Sequence, residues 1–289
     1  MSIATLHTPA LNRRNPLIAL TALVAVYAPA LLDLVKDWWT DANYSHGFLI
    51  PLISLYLLRK DRSKLNVALA RPASAATGAG AGAALLIAAL GLYALGNGAA
   101  EYFTVRVSFV LALAGATLYF YGPAVLRAAW FPLAFLFFMI PWPYVIYYAA
   151  TFPLQLLATK ISMVALNAIG VAAVQQGNII HLSGMSLEVA EACSGVRSMI
   201  SLLALGALYA YLSQARTTGR LIVFVSTLPI ALATNSIRVF FTAVLAYAAE
   251  APVTEEPWHS ALGLSVFVMA FVMLFIVSAL TTKLLGEKS

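Results

Sequence analysis

EACSGVRSMISLLALGALYAYLS, residues 191–213, is the stretch that decides the fold. Beyond Gly195 it is an apolar run about as long as one membrane crossing, and it begins beside Cys193, the single cysteine of the chain. Similar runs fill most of the 289 residues, which are 62% hydrophobic and 10% charged. A soluble domain carries about 25% charged residues. No soluble protein of this length could bury so much apolar surface, so the composition predicts a multi-span membrane protein.

The fold class predicted from these runs is an all-α polytopic membrane protein with about eight transmembrane helices. We place them near residues 16–35, 46–59, 77–96, 104–122, 125–141, 195–213, 221–248 and 259–282. Residues 143–170 are also apolar, but they contain Pro143, Pro153, Gln155 and Lys160. Those residues favour an interfacial or re-entrant helix over a full crossing.

The charges predict the orientation. In this arrangement most of the 17 lysines and arginines fall on the side of both termini, and most of the 11 acidic residues fall on the other side. The positive-inside rule therefore places both termini in the cytoplasm. We expect a cytoplasmic N-terminus over residues 1–15 and a single transmembrane domain over residues 16–289.

The main outer segment is predicted at about residues 170–192, directly before Cys193. Residues 175–178, QQGN, form a turn signal. Residues 179–182 and 186–189 flank Ser183 and Gly184, and their composition predicts a short hairpin. The Ala- and Gly-rich stretch 73–91 suits close packing of helices in lipid.

Three residues on separate helices are predicted to lie near the outer surface. Cys193 begins the span that runs inward, and His259 opens the last span. Arg238 follows the start of its outward span at Leu221 by ~25 Å at ~1.5 Å per residue, within a hydrocarbon core of ~30 Å. A charge inside a span costs at least ~2.5 kcal/mol on insertion scales, so Arg238 is a candidate functional residue.

A thiol, an imidazole and a guanidinium at one depth can perform acyl transfer. The imidazole of His259 can accept the proton of the Cys193 thiol, and a neighbouring cation lowers the pKa of a thiol. The thiolate can then attack a peptide carbonyl, while Arg238 stabilises the charge on the carbonyl oxygen. One cysteine cannot form an internal disulfide or assemble a multi-cysteine metal site, and we predict no metal and no cofactor.

Other residues compete for these roles or support them. Arg197 follows Cys193 by one helical turn and is a rival cation, which binds substrate or pairs with Glu188 or Glu191. His46 is a rival base at the outer end of the second span. Arg238 has a structural alternative as well, as a partner of Asn235 or of a backbone carbonyl.

Two further features of the sequence also lead to predictions. Pro141-Trp142-Pro143 indicates a helix break at the interface, and Trp142 is a candidate for contact with substrate. No role is assigned to His181 or His7. No basic stripe interleaved with aromatic residues is present, which argues against nucleic-acid binding.

The chain resembles the exosortase/archaeosortase family of multi-span membrane transpeptidases, in its bacterial branch, over roughly residues 40–280. The resemblance rests on five pieces that occur in the family's order. They are EACSGVRS at 191–198, NSIR at 235–238, WH at 258–259 followed by Gly263, NYSHG at 43–47 and PWP at 141–143. The family's Cys, Arg and His correspond to Cys193, Arg238 and His259.

This resemblance implies a cysteine endopeptidase or transpeptidase. Family members act on membrane-anchored proteins whose C-terminal tail has a Pro-Glu-Pro signal (a PEP-CTERM tail), a transmembrane helix and a basic end. They cleave near the signal and pass the new C-terminus to an acceptor, for which a lipid or a glycan is the expectation. The implied location is the bacterial inner membrane, with the active site on the periplasmic face.

Two other classes of function stay open from the residues alone. One is a small-molecule transporter that uses Arg238 as an intramembrane substrate charge, although no matched pair of broken helices is evident in two halves of the chain. The other is a scaffold subunit of an exopolysaccharide assembly complex. A transporter should tolerate replacement of Cys193 by Ser, whereas a thiol enzyme should lose its activity.

Overall fold

The structure is a computed structural model. It describes residues 15–70, 74–183, 185–189, 196–249 and 258–286, with side chains over 16–70, 78–183, 185–189, 200–248 and 261–286. Within the chain, contacts cluster into two compact units, Met1–Pro141 and Trp142–Ser289. We call them the N-terminal unit and the C-terminal unit and describe each by itself. The assignment of residues 16–289 to one transmembrane domain stays a prediction.

The N-terminal unit consists of helices. In order they are α1 (Asn15–Thr40), a 3-10 helix (Ser45–Phe48), α2 (Leu49–Lys60), α3 (Arg62–Leu69), α4 (Ser74–Gly98), α5 (Tyr102–Phe135) and a second 3-10 helix (Leu136–Met139). The element α2 has 12 residues, which is fewer than the ~20 that a crossing requires. The predicted span at 46–59 is therefore a short helix preceded by a 3-10 turn.

Helix α5 changes direction at Gly122, whose φ of 79° and ψ of 177° lie outside the helical region. Glycine adopts a positive φ without the steric cost that a side chain would impose. Pro123 follows, and proline suits the first position of a new helix because its missing N–H has no intrahelical partner there. The break falls at the predicted boundary between the spans at 104–122 and 125–141.

Glycines allow α4 and the first half of α5 to pack closely. An ideal Cβ placed on Gly82 would lie 2.4 Å from the backbone nitrogen of Tyr119, and one on Gly78 would lie 2.5 Å from the carbonyl oxygen of Leu118. Such distances are shorter than van der Waals contact, so only glycine fits at either position. This is the small-residue packing that substitutes for the hydrophobic effect between helices in lipid.

An ion pair joins α1 to α5 at the end of the N-terminal unit where α1 finishes. Nη2 of Arg106 lies 2.6 Å from Oδ2 of Asp37. Arg106 is buried and Asp37 is half-buried. Beside this pair, the indole N–H of Trp38 donates to the carbonyl of Met139 at 2.8 Å. At the start of α5 the carboxylate of Glu101 accepts from the backbone N–H groups of Phe103 and Thr104, which caps the helix.

The C-terminal unit combines four helices with a small sheet. In order they are α6 (Tyr144–Ala168), β1 (Ala173–Gln176), β2 (Ile179–Leu182), β3 (Met185–Glu188), α7 (Val196–Ser213), α8 (Thr217–Ala249) and α9 (Trp258–Leu284). Among the described residues, six helices are long and apolar enough to cross a membrane: α1, α4, α5, α6, α8 and α9. The polytopic all-α class is confirmed, whereas the count of eight spans is not.

Helix α6 differs from the expectation for residues 143–170. It is one continuous helix of 25 residues and is long and apolar enough to cross a membrane. Its polar residues explain the difference, because Thr151, Gln155, Thr159 and Ser162 are buried inside the unit, away from the apolar outer face. Polar groups are tolerated in a crossing helix when they face the interior of a bundle.

The predicted hairpin is present and has a third strand. Strands β2 and β3 pair antiparallel, with Leu182 opposite Met185. Strand β1 pairs with the other side of β2, so that the sheet order is β1-β2-β3. Gln175 and Gln176, expected in the turn, instead end β1, and Gly177 with its φ of 62° provides the turn.

Helices α7, α8 and α9 share one apolar core, which contains Leu202, Val223, Ile230, Ala270 and Leu274. Their ends are tied together at one point, which we call the basic end because Arg216, Arg220 and Lys283 lie there. The amide Nε2 of Gln214 donates to Oγ of Ser278 at 2.8 Å. These polar contacts fix the level of the helices relative to one another.

Replacement of Gly82 by Ala should destabilise the protein by about 1 to 3 kcal/mol, because the new methyl group would overlap the backbone of α5. The matched control is Gly80→Ala, at a position where nothing lies within 4 Å of the added Cβ. The control should be neutral or slightly stabilising, since Ala favours a helix over Gly. Thermal unfolding of the purified variants in detergent measures the difference, and equal melting temperatures would contradict the described packing.

Replacement of Asp37 by Asn should also destabilise the protein, by about 1 to 3 kcal/mol, because buried Arg106 would lose its charged partner. The matched control is Asp33→Asn, one turn earlier in α1, where the side chain is exposed. Denaturant or thermal unfolding in detergent tests this expectation. A loss of stability as large in the control as in the Asp37 variant would disagree with the ion pair.

Candidate functional site

Arg238 lies in the second half of α8 and is buried, with 8% of its surface exposed. The residues around it in the helix are also buried and polar: Thr234, Asn235, Ser236 and Thr242. Residues three or four positions apart share a face of a helix, so Thr234, Asn235 and Thr242 form a polar patch with Arg238 within an otherwise apolar helix. A buried guanidinium in such a helix is costly, which makes its surroundings a candidate functional site.

Helix α9 approaches Arg238 at a glycine. An ideal Cβ built on Gly263 would lie 3.8 Å from Nη2 of Arg238. The guanidinium therefore reaches the surface of α9 near its first turns. Position 259 precedes Gly263 by four residues in the same helix, so it lies one turn away on the same helical face. The predicted arginine and histidine positions are thus brought to adjoining turns of two packed helices.

The beginning of α7 lies at the same height as Arg238 and position 259, measured along the helices from the basic end. At the basic end, Oγ of Ser278 donates to Oγ of Ser213 at 3.1 Å, and Nε of Arg220 donates to the carbonyl of Gln214 at 2.8 Å. These contacts give the three helices a common origin for measuring height along them.

At ~1.5 Å per residue, Val196 is about 26 Å from Ser213 along α7. On the same rise, Arg238 is about 27 Å from Arg220 along α8, and His259 is about 29 Å from Ser278 along α9. The first turn of α7, the Arg238 position and the first turn of α9 therefore share one end of the C-terminal unit, opposite the basic end.

The three-stranded sheet packs at this end too. Its inner face contributes Ile180, Leu187 and Val189 to a buried cluster that also contains Val239 and Ala243 of α8. Val239 is the residue after Arg238. The sheet therefore packs on α8 beside the buried arginine, because residues of both belong to one hydrophobic cluster.

A hydrogen bond joins α6 to α8 near the same place. Oγ of Ser162 donates to the backbone carbonyl of Ser236 at 2.9 Å. Ser162 belongs to the buried polar stripe of α6, which was not among the predicted site residues. The sequence indicates this stripe by the spacing of its polar residues, which lie three or four positions apart: Thr151, Gln155, Thr159 and Ser162.

Several predicted residues fall at the edge of the described structure or beyond it. Cys193 lies outside the described residues, between Val189 and the start of α7 at Val196. For Arg197 and His259 the structure describes the helical backbone but not the side chain. Glu188 is exposed at the end of β3, opposite Ile179. Among the described residues, no three His, Cys, Asp or Glu side chains are grouped to hold a metal ion.

The rival base, His46, belongs to the N-terminal unit, within the 3-10 turn Ser45–Phe48. Burial lowers its pKa from the ordinary value of 6.5, although hydrogen bonds to the backbone at Phe138 and Asn43 oppose this effect. A lowered pKa means that the imidazole is neutral at pH 7. Trp142, 38% exposed, begins the C-terminal unit.

Comparison with known proteins agrees with these features. The family model described as transmembrane exosortase (Exosortase_EpsH) matches residues 38–276 of the chain. No curated protein and no solved structure matched in the comparisons. The matched range covers most of the sequence and includes α7, Arg238 and the start of α9. The chain is therefore a multi-pass membrane protein that belongs to the transmembrane exosortase family.

Proposed function

We propose that this exosortase is a cysteine endopeptidase or transpeptidase that cleaves a C-terminal sorting signal of the Pro-Glu-Pro type from membrane-anchored proteins. Cys193 is the nucleophile, His259 is the general base and acid, and Arg238 stabilises the oxyanion or orients the substrate. Exosortases act in general as cysteine transpeptidases on C-terminal sorting signals.

One observation carries the proposal. The guanidinium of buried Arg238 approaches α9 at Gly263, one turn from position 259, at the end of the unit where α7 begins. A buried cation beside the first turn of a neighbouring helix is suited to stabilise negative charge in a site from which water is excluded. Hydrocarbon surroundings increase that effect because the local dielectric constant is low.

The length of the chain supports the assignment of Cys193. Cys193 follows Val189, which is buried against α8, by four residues. Four residues span at most ~14 Å even when fully extended. A connection of that length would allow the thiol of Cys193 to act beside Arg238.

The proposed reaction has two acyl transfers. Imidazole takes the thiol proton, and the thiolate sulfur forms a bond to the carbonyl carbon of the scissile peptide. The tetrahedral oxyanion collapses, the C–N bond breaks, and the imidazolium returns its proton to the leaving amine. Water or the nucleophilic group of an acceptor then attacks the thioester, which releases the thiol. A lipid or a glycan is the acceptor that we propose for the transferase reaction.

Supporting residues complete the proposal. Arg197, the second residue of α7 and four residues after Cys193 in the chain, receives the acidic residue of the signal, and Asn235 and Glu188 support the site from α8 and β3. His46 and Trp142 are proposed to contact substrate. We place the protein in the bacterial inner membrane with this site on the periplasmic face, since the basic end then lies in the cytoplasm.

Replacement of Cys193 by Ala should abolish processing of a co-expressed protein that carries a Pro-Glu-Pro tail. The wild-type chain should convert this substrate to a shorter product on an immunoblot, and mass spectrometry of the new C-terminus should distinguish hydrolysis from transfer. The control is Cys193→Ser at equal expression, which should retain little activity because a hydroxyl is a far weaker nucleophile than a thiolate. A product that persists in the Ala variant would rule out the nucleophile and favour a scaffold or transporter.

Replacement of Gly263 by Leu should reduce processing at least tenfold, because a large side chain would displace the guanidinium of Arg238. Gly263→Ala is the matched control, since its Cβ would lie 3.8 Å from Nη2, which is ordinary van der Waals contact. Processing rates at matched expression and unchanged thermal stability give the comparison. If the Leu variant processes substrate as fast as the Ala variant, then Arg238 does not act at the surface of α9.

A further inference from the structure

The two edges of the small sheet differ in their hydrogen bonding. In β1, residues Val174 and Gln176 point their backbone groups towards β2, because a two-residue turn closes the pair of Gln176 and Ile179. Ala173 and Gln175 therefore point their backbone groups away from the sheet. At Ala173 the side chain of Asn167 meets both groups: its Oδ1 accepts from the N–H at 2.9 Å, and its Nδ2 donates to the carbonyl at 3.2 Å. Asn167 therefore caps that edge at Ala173.

The opposite edge, β3, is open among the described residues. The backbone N–H of Val189 donates to the carbonyl of Asn178 at 2.8 Å, and Leu187 stands opposite Ile180. Residues 185, 187 and 189 thus face β2, and by alternation Ser186 and Glu188 direct their N–H and C=O groups outward. Both residues are exposed, and no described residue bonds to these backbone groups.

Natural proteins protect open edges with short strands, charged side chains, proline, bulges or a covering element. Strand β3 is four residues long and ends at exposed Glu188, but it has neither proline nor lysine, and its pairing with β2 is regular. It is the last strand before Cys193 in the chain. The edge is therefore open to a short added strand at Ser186, away from the charge of Glu188.

We propose that the sorting signal of the substrate binds as a fourth strand, antiparallel to β3 and paired through the backbone of Ser186. This inference rests on the proposed function, because it takes the Pro-Glu-Pro type of signal as the occupant. Addition of an extended peptide to a sheet edge is a common mode of peptide recognition, in which main-chain hydrogen bonds provide affinity.

In the Pro-Glu-Pro signal, residues with and without a backbone N–H alternate, and this alternation fits the open edge of β3. Proline has no N–H to donate. In an extended Pro-Glu-Pro segment the central residue directs its N–H and C=O to one side, while both prolines face the other side. The central glutamate can therefore exchange both backbone hydrogen bonds with Ser186, and the prolines lie on the outer edge, where proline is tolerated.

Charge selects Ser186 over Glu188 as the partner. A glutamate directly opposite Glu188 would place like charges together, which is destabilising. If the glutamate lies opposite Ser186, the glutamate side chain is on the exposed face of the sheet. It lies there beside a row of hydrogen-bonded side chains that joins all three strands. Nδ1 of His181 lies 2.8 Å from Oγ of Ser186, and Nε2 lies 3.0 Å from Oε1 of Gln176. Because Oε1 of Gln176 can only accept, Nε2 of His181 donates to it, and with one N–H on the ring Nδ1 accepts from the hydroxyl of Ser186. The carboxylate of the bound glutamate then lies beside polar groups.

A peptide-binding experiment tests this mode without turnover. The full chain with Cys193→Ala is placed in nanodiscs and titrated with a fluorescent peptide that contains the Pro-Glu-Pro signal. Replacement of Ser186 by Pro removes the outward N–H but no bond to β2, and it should weaken binding about tenfold. Ser186→Ala, which keeps that N–H, is the matched control and should weaken binding no more than about threefold.

A change in the peptide provides the second measurement, which does not depend on the folding of a variant. Methylation of the central glutamate nitrogen should weaken binding to the chain with native Ser186 about tenfold. The backbone carbonyl of Ser186 would then lose the N–H from which it accepts a hydrogen bond. Binding that is unaffected by both changes would overturn the proposal. Scattering mass measurements in detergent add a third outcome: a dimer that becomes a monomer with Ser186→Pro would assign the edge to a second copy and overturn it as well.

Failure of this inference can be told from failure of the proposed function. If the wild-type chain cleaves the tail-bearing protein and the Ser186→Pro variant, folded to the same melting temperature, cleaves it equally fast, only the strand pairing is wrong. If the wild-type chain neither cleaves nor binds the signal, the proposed function fails and this inference fails with it.

Discussion

The position of one buried charge organises the C-terminal unit. Arg238 lies within a helix that is long and apolar enough to cross a membrane, with 8% of its surface exposed. A guanidinium cannot give up its charge in a protein, so it must be accommodated by polar neighbours and by the direction in which it points. Here it points at a glycine of α9. A long side chain at that position would compete for the same space, so a small residue in one helix leaves room for the charge of another.

The polar contacts at the basic end have a consequence for the opposite end. Helices in lipid have little hydrophobic reason to prefer one vertical offset over another, because lipid tails are as apolar as leucine. Side-chain hydrogen bonds remove that freedom: the amide of Gln214 bonds to Ser278 and Thr282, and Arg220 bonds to the carbonyl of Gln214. Fixed offsets there bring the first turns of α7 and α9 to the level of Arg238. The geometry of the candidate site thus depends on residues more than 25 Å from it, on a rise of ~1.5 Å per residue.

The features that could be predicted from the sequence are those that depend on local composition. Apolar runs predicted the membrane-spanning class and a boundary between spans 104–122 and 125–141, and Ser183-Gly184 marked the turn of a hairpin. Helix α6 was not predicted as a crossing, because individual residues such as Pro153, Gln155 and Lys160 were given more weight than the length and apolar composition of the whole segment. The structure separates these residues by direction: Gln155 is buried, while Pro153 and Lys160 are exposed. The direction in which each polar residue points could not be predicted without the packing of α6.

The assignment of residues 193, 238 and 259 to one surface came from counting eight spans, a count that is not confirmed, and it stays a prediction. The structure brings position 259 and Arg238 to adjoining turns of α9 and α8, while Cys193 lies outside the described residues. The approach of Arg238 to Gly263 could not be predicted, since nothing in the sequence indicates which face of α9 meets α8.

The asymmetry of the sheet was equally invisible in the sequence. Asn167 and Ser186 are both ordinary polar residues there, yet Asn167 bonds to the outward backbone groups of Ala173 in β1, while the outward groups of Ser186 in β3 bond to no described residue. The cap on β1 favours β3 as the edge that receives an added strand. Strand β3 also precedes, in the chain, the residue proposed to attack the substrate. An open strand edge binds an extended peptide through its main chain.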